Sequence, residues 1–325
     1  MNLVLKLHRN IKGFILIFIL AFAIKTVEAE PDTVKVGAYI MSVHDINFQD
    51  NEYTVRCWLW FKYKKNRDFD FVKQLDITNA KTIEYAEPLY DTAGQDNYLV
   101  MLKLKCVMKD NWQVLSFPFD EQNLIIHIEN SLFDKKFLVF APDIKGSKYD
   151  SEGTLMGWKI KKFTVFSSQR NYETNFGDDS IAENSNMYSV MNISIDIKRN
   201  AWGLFLKIFI GMYFGFLISL VGFAPKPWEL EARFSLPVGG LFAAVGNKYI
   251  IDSTLPESLS FTLVDSLHAV TFLAILASIV VSAICMKQYD NNKTEQCLKT
   301  NKIGAWVVLI SYVALNILLV TISAW

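Results

Sequence analysis

The chain has 325 residues, with 33 basic and 33 acidic side chains, and 51% of it is apolar. Zero net charge offers no long-range pull on a polyelectrolyte and argues against a nucleic-acid partner. The apolar residues are concentrated unevenly, which argues against a purely soluble protein and for a membrane one.

Residues 1–29 carry Lys6, Arg9 and Lys12, then the run GFILIFILAFAI, and end in Val27-Glu28-Ala29. A charged start, a short apolar middle and a small-residue exit predict a signal peptide cut before Glu30. An uncleaved anchor is the alternative, but the apolar run falls short of the roughly 20 residues that span a bilayer. Residues 30–200 then alternate. Val34, Val36, Ala38 and Ile40 share one face of a strand, as do Val55, Cys57, Leu59 and Phe61. Val100, Leu102, Leu104, Cys106 and Met108 repeat the pattern, and Ile193, Ile195 and Ile197 repeat it again. Period two means half-buried strands, and turn signals at Asp50-Asn51, Ala93-Gly94, Asp110-Asn111 and Gly177-Asp178 separate them. Many short strands predict one all-β sandwich outside the membrane. It contains no phosphate loop, zinc-ligand pair or nucleophile elbow, so neither an enzyme nor a cofactor is expected. Cys57 and Cys106 read as buried, unpaired thiols.

Residues 201–325 form the membrane part, with spans expected at about 202–223, 233–251, 260–285 and 303–324. Lys226 and Arg233, then Lys287, Lys293, Lys299 and Lys302, fall in the inner connections, while Asp252 and Glu257 fall in the outer one. That bias puts the sandwich and the C-terminus on the outer side and Cys297 in a reduced inner loop. The second span differs from the others. Glu231, Ser235, Gly239, Phe242, Gly246, Tyr249 and Ser253 follow one another at helical spacing and make a single stripe of acid, hydroxyl, glycine and aromatic. Such a stripe can line a water-filled path, or it can be a close helix–helix contact. Leu236, Val238, Leu241 and Val245 fall mostly off it and are expected to pack against neighbouring helices.

The stretch SFPFDEQN at residues 116–123 brings in a resemblance. Phe117-Pro118-Phe119-Asp120-Glu121-Gln122 resembles the signature loop of the pentameric ligand-gated ion channels, the Cys-loop receptor superfamily. The order of parts is similar along nearly the whole mature chain: a β domain, Arg199 just before the first span, the stripe, a proline loop at Pro256, and two more spans. Eukaryotic members close the loop with a disulfide. Here no cysteine lies between Cys106 and the membrane and the connection between the third and fourth spans is short, so the likeness is to bacterial members.

The resemblance implies an immunoglobulin-like extracellular sandwich on a four-helix transmembrane bundle, assembled as a homopentamer around a central pore in a plasma or bacterial inner membrane. It implies Glu231 as a cation-selective ring, Phe242 and Tyr249 as hydrophobic gates, and Ser235, Gly239, Gly246 and Ser253 as the remaining pore lining. Monovalent cations would permeate, and lipids would surround the helices. Arg233 beside Glu231 leaves an anion-passing channel as the alternative, and a non-conducting anchored receptor is the rival from another class. Pro237 with Gly239 and Gly240 suggests a bendable lower pore, or a local kink without a gating role. Coupling between layers would rest on Asp120, Arg199, Phe117, Pro118, Phe119 and Pro256, with the loop at residues 44–51. An agonist would lie between subunits, against Tyr172, Tyr188, Glu129, Ser131 and Phe133, with Trp60 (or Trp58) from the neighbour. Glu129 and Ser131 stand where the family has an aromatic, which weakens the expectation of an amine. Divalent cations at Asp178, Asp179 and Glu183, or protons at His44 and His127, are the other effectors. His268 reads as packed rather than sensing.

Overall fold

A computed structural model describes residues 30–65, 69–92, 94, 96–152, 155–177 and 186–324. The expected signal peptide and Asp178, Asp179 and Glu183 lie outside these residues. The alternating stretches become strands: β1 (Asp32–Asn47), β2 (Glu52–Lys64), β3 (Leu75–Ile77), β4 (Ala80–Tyr85), β5 (Leu89–Thr92), β6 (Asn97–Lys109), β7 (Glu121–Asn130), β8 (Leu138–Pro142), β9 (Lys148–Tyr149), β10 (Trp158–Tyr172) and β11 (Asn186–Arg199).

One sheet runs β4-β6-β2-β1-β8, with β5 on β6 and β9 on β1; the other runs β10-β11-β7-β3. Pairing is antiparallel except where β8 and β9 run parallel to β1. Valine, isoleucine and aromatic residues suit a pleated surface, and their alternation sends one set inward. Val36, Ala38, Cys57, Leu59, Leu102, Leu104, Ile193 and Ile195 all meet in one core between the sheets. This two-sheet arrangement is compatible with a sandwich. Cys57 and Cys106 are buried free thiols on neighbouring strands, with Val55 opposite Cys106 and Leu104 opposite Cys57. Both tryptophans of β2 point the other way: Trp58 and Trp60 are half-exposed on the outer face of their sheet.

Four long apolar helices follow: α1 (Ala201–Val221), α2 (Leu230–Asp252), α3 (Leu263–Asp290) and α4 (Thr294–Ala324). At about 1.5 Å per residue, the 21 residues of α1 suffice for a hydrocarbon layer of about 30 Å. Thr262 and Asp265 cap α3 reciprocally, each side chain accepting from the other's backbone N–H. The last two helices run past their expected spans. Residues 286–302 contain no proline or glycine and hold lysine, glutamine, glutamate and leucine, so the helices continue through them. The turn between α3 and α4 shrinks to residues 291–293, where Asn292 takes a left-handed φ of 59°. Cys297 is therefore not in a loop; it is buried in the first turns of α4, its carbonyl 3.5 Å from the Cys285 thiol.

Glycine sets the contact between α1 and α2. A Cβ on Gly240 would fall 2.2 Å from the Gly215 oxygen, and one on Gly215 would fall 2.6 Å from the Gly240 oxygen. Only glycine at both positions lets the backbones approach this closely. Gly240 is thus a packing residue, which narrows the bendable stretch expected around Pro237.

Candidate functional site

Three separate features hold the candidate residues: one face of α2, the junction between strands and helices, and, towards the far end of the β10–β11 ladder from that junction, an acidic aromatic cluster on the outside of β7, β10 and β11.

On α2 the buried positions are Arg233, Pro237, Gly240, Ala244 and Ile251. The stripe lies on the other side. Glu231, Ser235, Gly239, Phe242, Gly246, Tyr249 and Ser253 are all exposed in the single chain, Phe242 at 72% and Tyr249 at 76%. A Cβ on Gly239 or Gly246 would meet nothing within 4 Å. Within the chain, the close helix contact uses Gly215 and Gly240, while the stripe's own glycines face open space. Leu236 and Leu241 are half-buried, but Val238 and Val245 also face outward, so the open face is wider than the stripe.

Arg233 turns into the bundle. It is fully buried and donates to Pro225 O at 3.2 Å, to Ser282 Oγ of α3 at 3.2 Å and to Asn301 Oδ1 of α4 at 2.6 Å. Asn301 in turn donates to Phe223 O at 3.1 Å, so one guanidinium and one amide tie the ends of all four helices. The charge left exposed on the stripe at this end is that of Glu231. Lys248, also on α2, is neutralised by Asp252 at 2.8 Å and by Asp265 of α3 at 2.7 Å.

At the junction, the loop between β6 and β7 carries a cis Phe117-Pro118 bond and lies on the helices. Phe119 packs against Trp202 and Phe205 of α1, at ring separations of 5.1 and 5.5 Å, and Leu263 N at the start of α3 donates to Leu115 O at 2.9 Å. Arg199 ends β11 just before α1. It holds Asp120 in a two-pronged pair, Nε to Oδ1 at 2.7 Å and a terminal nitrogen to Oδ2 at 3.1 Å. Gln122 donates to the same carboxylate at 2.7 Å. Trp158, Phe48 and Phe117 surround the guanidinium at 4.0, 4.8 and 5.0 Å from their ring centres. A planar cation suits both its carboxylate and these ring faces. A cleft of about 530 Å³ opens beside it, lined by residues 45–49, Phe117, Arg199 and residues 253–255. Pro256 follows, half-buried. The loop after β1, the signature loop and the connection from α2 to α3 therefore meet around Arg199, as expected. Phe48 belongs to the expected loop at residues 44–51, whereas Trp158, at the start of β10, carries no sequence signal for a cation.

In the third feature, Tyr172 and Tyr188 stand edge to face at 5.6 Å, with Phe176 5.5 Å from Tyr172. Tyr172 donates to Glu129 Oε2 at 2.8 Å, and Arg170 pairs with Glu129 Oε1 at 2.8 Å. Glu129 is only 3% exposed. Ser131 and Phe133 are elsewhere, and Trp60, expected from the neighbouring subunit, lies outside the cluster of its own chain. Ser131 is exposed and its backbone N–H binds Gln74 O; Phe133 packs on Phe69 at 5.3 Å. Trp60 is on the other sheet, donating to Asp143 at 3.2 Å. Neither Phe133 nor Trp60 belongs to the tyrosine cluster of its own chain. Arg170 is the residue that sequence reading missed. It pairs with Tyr188 across β10 and β11 and alternates with Tyr172, so a strand ladder would have put it on the same face. The proton-sensing candidates are dispersed: His44 pairs with Asp45 at 2.8 Å, and His127 with Asn192 at 2.7 Å.

Burial pushes the Glu129 carboxyl above the ordinary carboxylate range, against the pull of the Tyr172 hydrogen bond and the Arg170 charge. Only the ionised form attracts a cation, so a cation that used this site would bind more strongly as pH rises through that raised range and be lost as pH falls through it. Titration calorimetry with a small primary amine is expected to show this loss beginning above the usual carboxylate range. Glu129→Gln should flatten the profile; an unchanged profile would detach the cluster from cation binding.

No family model and no curated protein matches this chain.

Proposed function

We propose that the protein is a pentameric ligand-gated ion channel, selective for cations, whose outer β domain responds to an extracellular effector and whose α2 helices surround the pore. The observation that carries this reading is the division of α2: Arg233, Pro237, Gly240 and Ala244 pack inward, while an acid, two hydroxyls, two glycines and two aromatics remain open in the single chain. A helix that only anchored a receptor has no use for an exposed face of that composition. Five copies around one axis give every one of these residues the same water-filled neighbourhood.

The sign of selectivity follows from two neighbouring charges. Arg233 donates into its own bundle, whereas Glu231 is exposed at the end of the stripe. A ring of carboxylates attracts cations and repels anions, and arginines held behind the wall by uncharged partners do not reverse it. This favours the cation channel over the anion-passing alternative. The site between Tyr172, Tyr188, Arg170 and Glu129 is the reading's effector site, and the cage around Arg199 is its transmission to the helices.

Voltage-clamp recording from cells expressing the chain, in asymmetric salt and with pH, calcium and small amines varied, tests the proposal. Reversal is expected to follow sodium or potassium. Glu231→Gln should lower the preference for cations about tenfold, the weight of about 1.4 kcal/mol per permeating ion. A reversal that follows chloride would transfer the site of selectivity to Arg233, and surface pentamers that pass no current under any condition would sink the channel reading.

A further inference from the structure

His268 of α3 is fully buried, its ring against Phe209 of α1 and Phe272 of its own helix. Nδ1 lies 2.8 Å from Val264 O, and Nε2 lies 3.2 Å from the Asn247 side-chain oxygen on α2. The Asn247 amide nitrogen donates onward to Ile208 O of α1 at 2.8 Å. One polar chain therefore crosses three helices, and a backbone carbonyl that can only accept closes each end.

The hydrogens of that chain can be counted. A neutral imidazole offers one N–H and one lone pair, and a carboxamide offers one NH2 and one oxygen. With the proton on Nδ1, Val264 O is served, but the Nε2 lone pair faces the Asn247 oxygen. Turning the amide over supplies Nε2 with a donor and sets the amide oxygen against Ile208 O. Moving the ring proton to Nε2 satisfies Asn247 and leaves Nδ1 facing Val264 O unprotonated. Tautomer and amide orientation exhaust the choices, and each neutral one leaves an acceptor against an acceptor. An imidazolium alone makes every contact a hydrogen bond.

We propose that His268 is a proton-binding site within the helix bundle, and that its protonation fastens α2 to α1 and α3. The inference rests on the reading of α2 as the pore wall for its effect on current, though not for the protonation itself. The charged groups facing the site are Lys248 and Asp252 on α2 and Asp265 on α3. Lys248 is paired with both acids, so the set carries one more negative charge than positive. From α1 come the Ile208 carbonyl and the Phe209 ring. An ionisable side chain at this depth is costly to charge, and it is retained where a partner rewards the charge. Asn247 is that partner: it lies between Gly246 and Tyr249 of the open stripe but on the helix side that packs, so a pull on it turns the stripe.

Nitrogen NMR on histidine-labelled protein in lipid bilayers tests the protonation without any current. On acidification a doubly protonated ring is expected, assigned by its disappearance in His268→Gln. Asn247→Ala, which removes the accepting oxygen and leaves the ring in place, should move the midpoint about one pH unit to acid, a tenfold fall in proton affinity. A His268 ring still neutral at about pH 4, or a midpoint indifferent to Asn247→Ala, overturns the proposal. In voltage clamp, wild-type current should change over the same pH range and the change should shift with Asn247→Ala. Current that ignores pH overturns the link to α2 and leaves the channel reading intact. A normal NMR titration in a protein that never conducts upholds the proton site and removes the channel reading instead.

Discussion

If the protein is the proposed channel, Phe242→Ala is expected to leave it leaking without any effector. The phenylalanine is 72% exposed in the single chain, so alanine opens no cavity in the bundle and the subunit should fold as before. In the proposed pentamer its role would lie in what five copies do across an axis. A ring of phenyl groups narrows the path and sheds water, and an apolar constriction stops ions without a plug. Each ring buried against its counterparts in the closed arrangement is worth on the order of 1.5–3 kcal/mol. Losing one ring's share already moves the balance between closed and open by about tenfold or more. Five substitutions act on one pore, so resting current per surface pentamer should rise at least that far. The measurement is resting current normalised to surface protein, with the thermal midpoint of the purified variant as control. Resting current unchanged at normal abundance would shift the gate to Tyr249, the other exposed aromatic of the stripe.

The elements that could be read in advance are those whose signal is local. The alternation at Val100–Met108 needs only neighbouring residues, and the same side chains are buried in β6. The stripe on α2 is local too, since helical spacing fixes which residues share a face. What could not be read depends on distant partners. Arg233 could have faced either way, and the groups that draw it inward, Ser282 and Asn301, come from two other helices. The ends of α3 and α4 were obscured because span reading follows hydropathy, and a helix leaving the membrane loses hydropathy before it loses its hydrogen bonds. The position of Phe133 after the signature loop points to the effector cluster, but its ring turns to Phe69, a choice made by packing. The pairing of Asp120 with Arg199 joins residues 79 apart, and no local property of either stretch announces it; only the resemblance of the signature loop points to it.

In the proposed channel, Asp120→Asn is expected to leave assembled protein that binds its effector and fails to open. The carboxylate is 1% accessible and the guanidinium 12%, so both charges have been taken out of water and depend on each other. Removing one partner of a buried pair costs about 3–5 kcal/mol, because the other is left uncompensated. Here the loss is partly cushioned, since Trp158, Phe48 and Phe117 still present their faces to Arg199. A static clamp and a transmission element both predict lower stability, so stability alone does not separate them. Opening does. If the pair merely holds the layers together, the variant melts earlier but surviving pentamers open at the normal effector concentration. If the pair is strained differently in the closed and open arrangements, folded pentamers should need about a hundredfold more effector, or reach only a small fraction of the maximal current, in line with a few kcal/mol of lost coupling. Arg199→Gln should behave alike. The double variant, which leaves no buried charge unpaired, should regain much of the stability and none of the opening. Recovery of both together in the double variant would reduce the pair to a clamp, and the transmission would then have to run through Phe119 and its contact with Trp202 and Phe205.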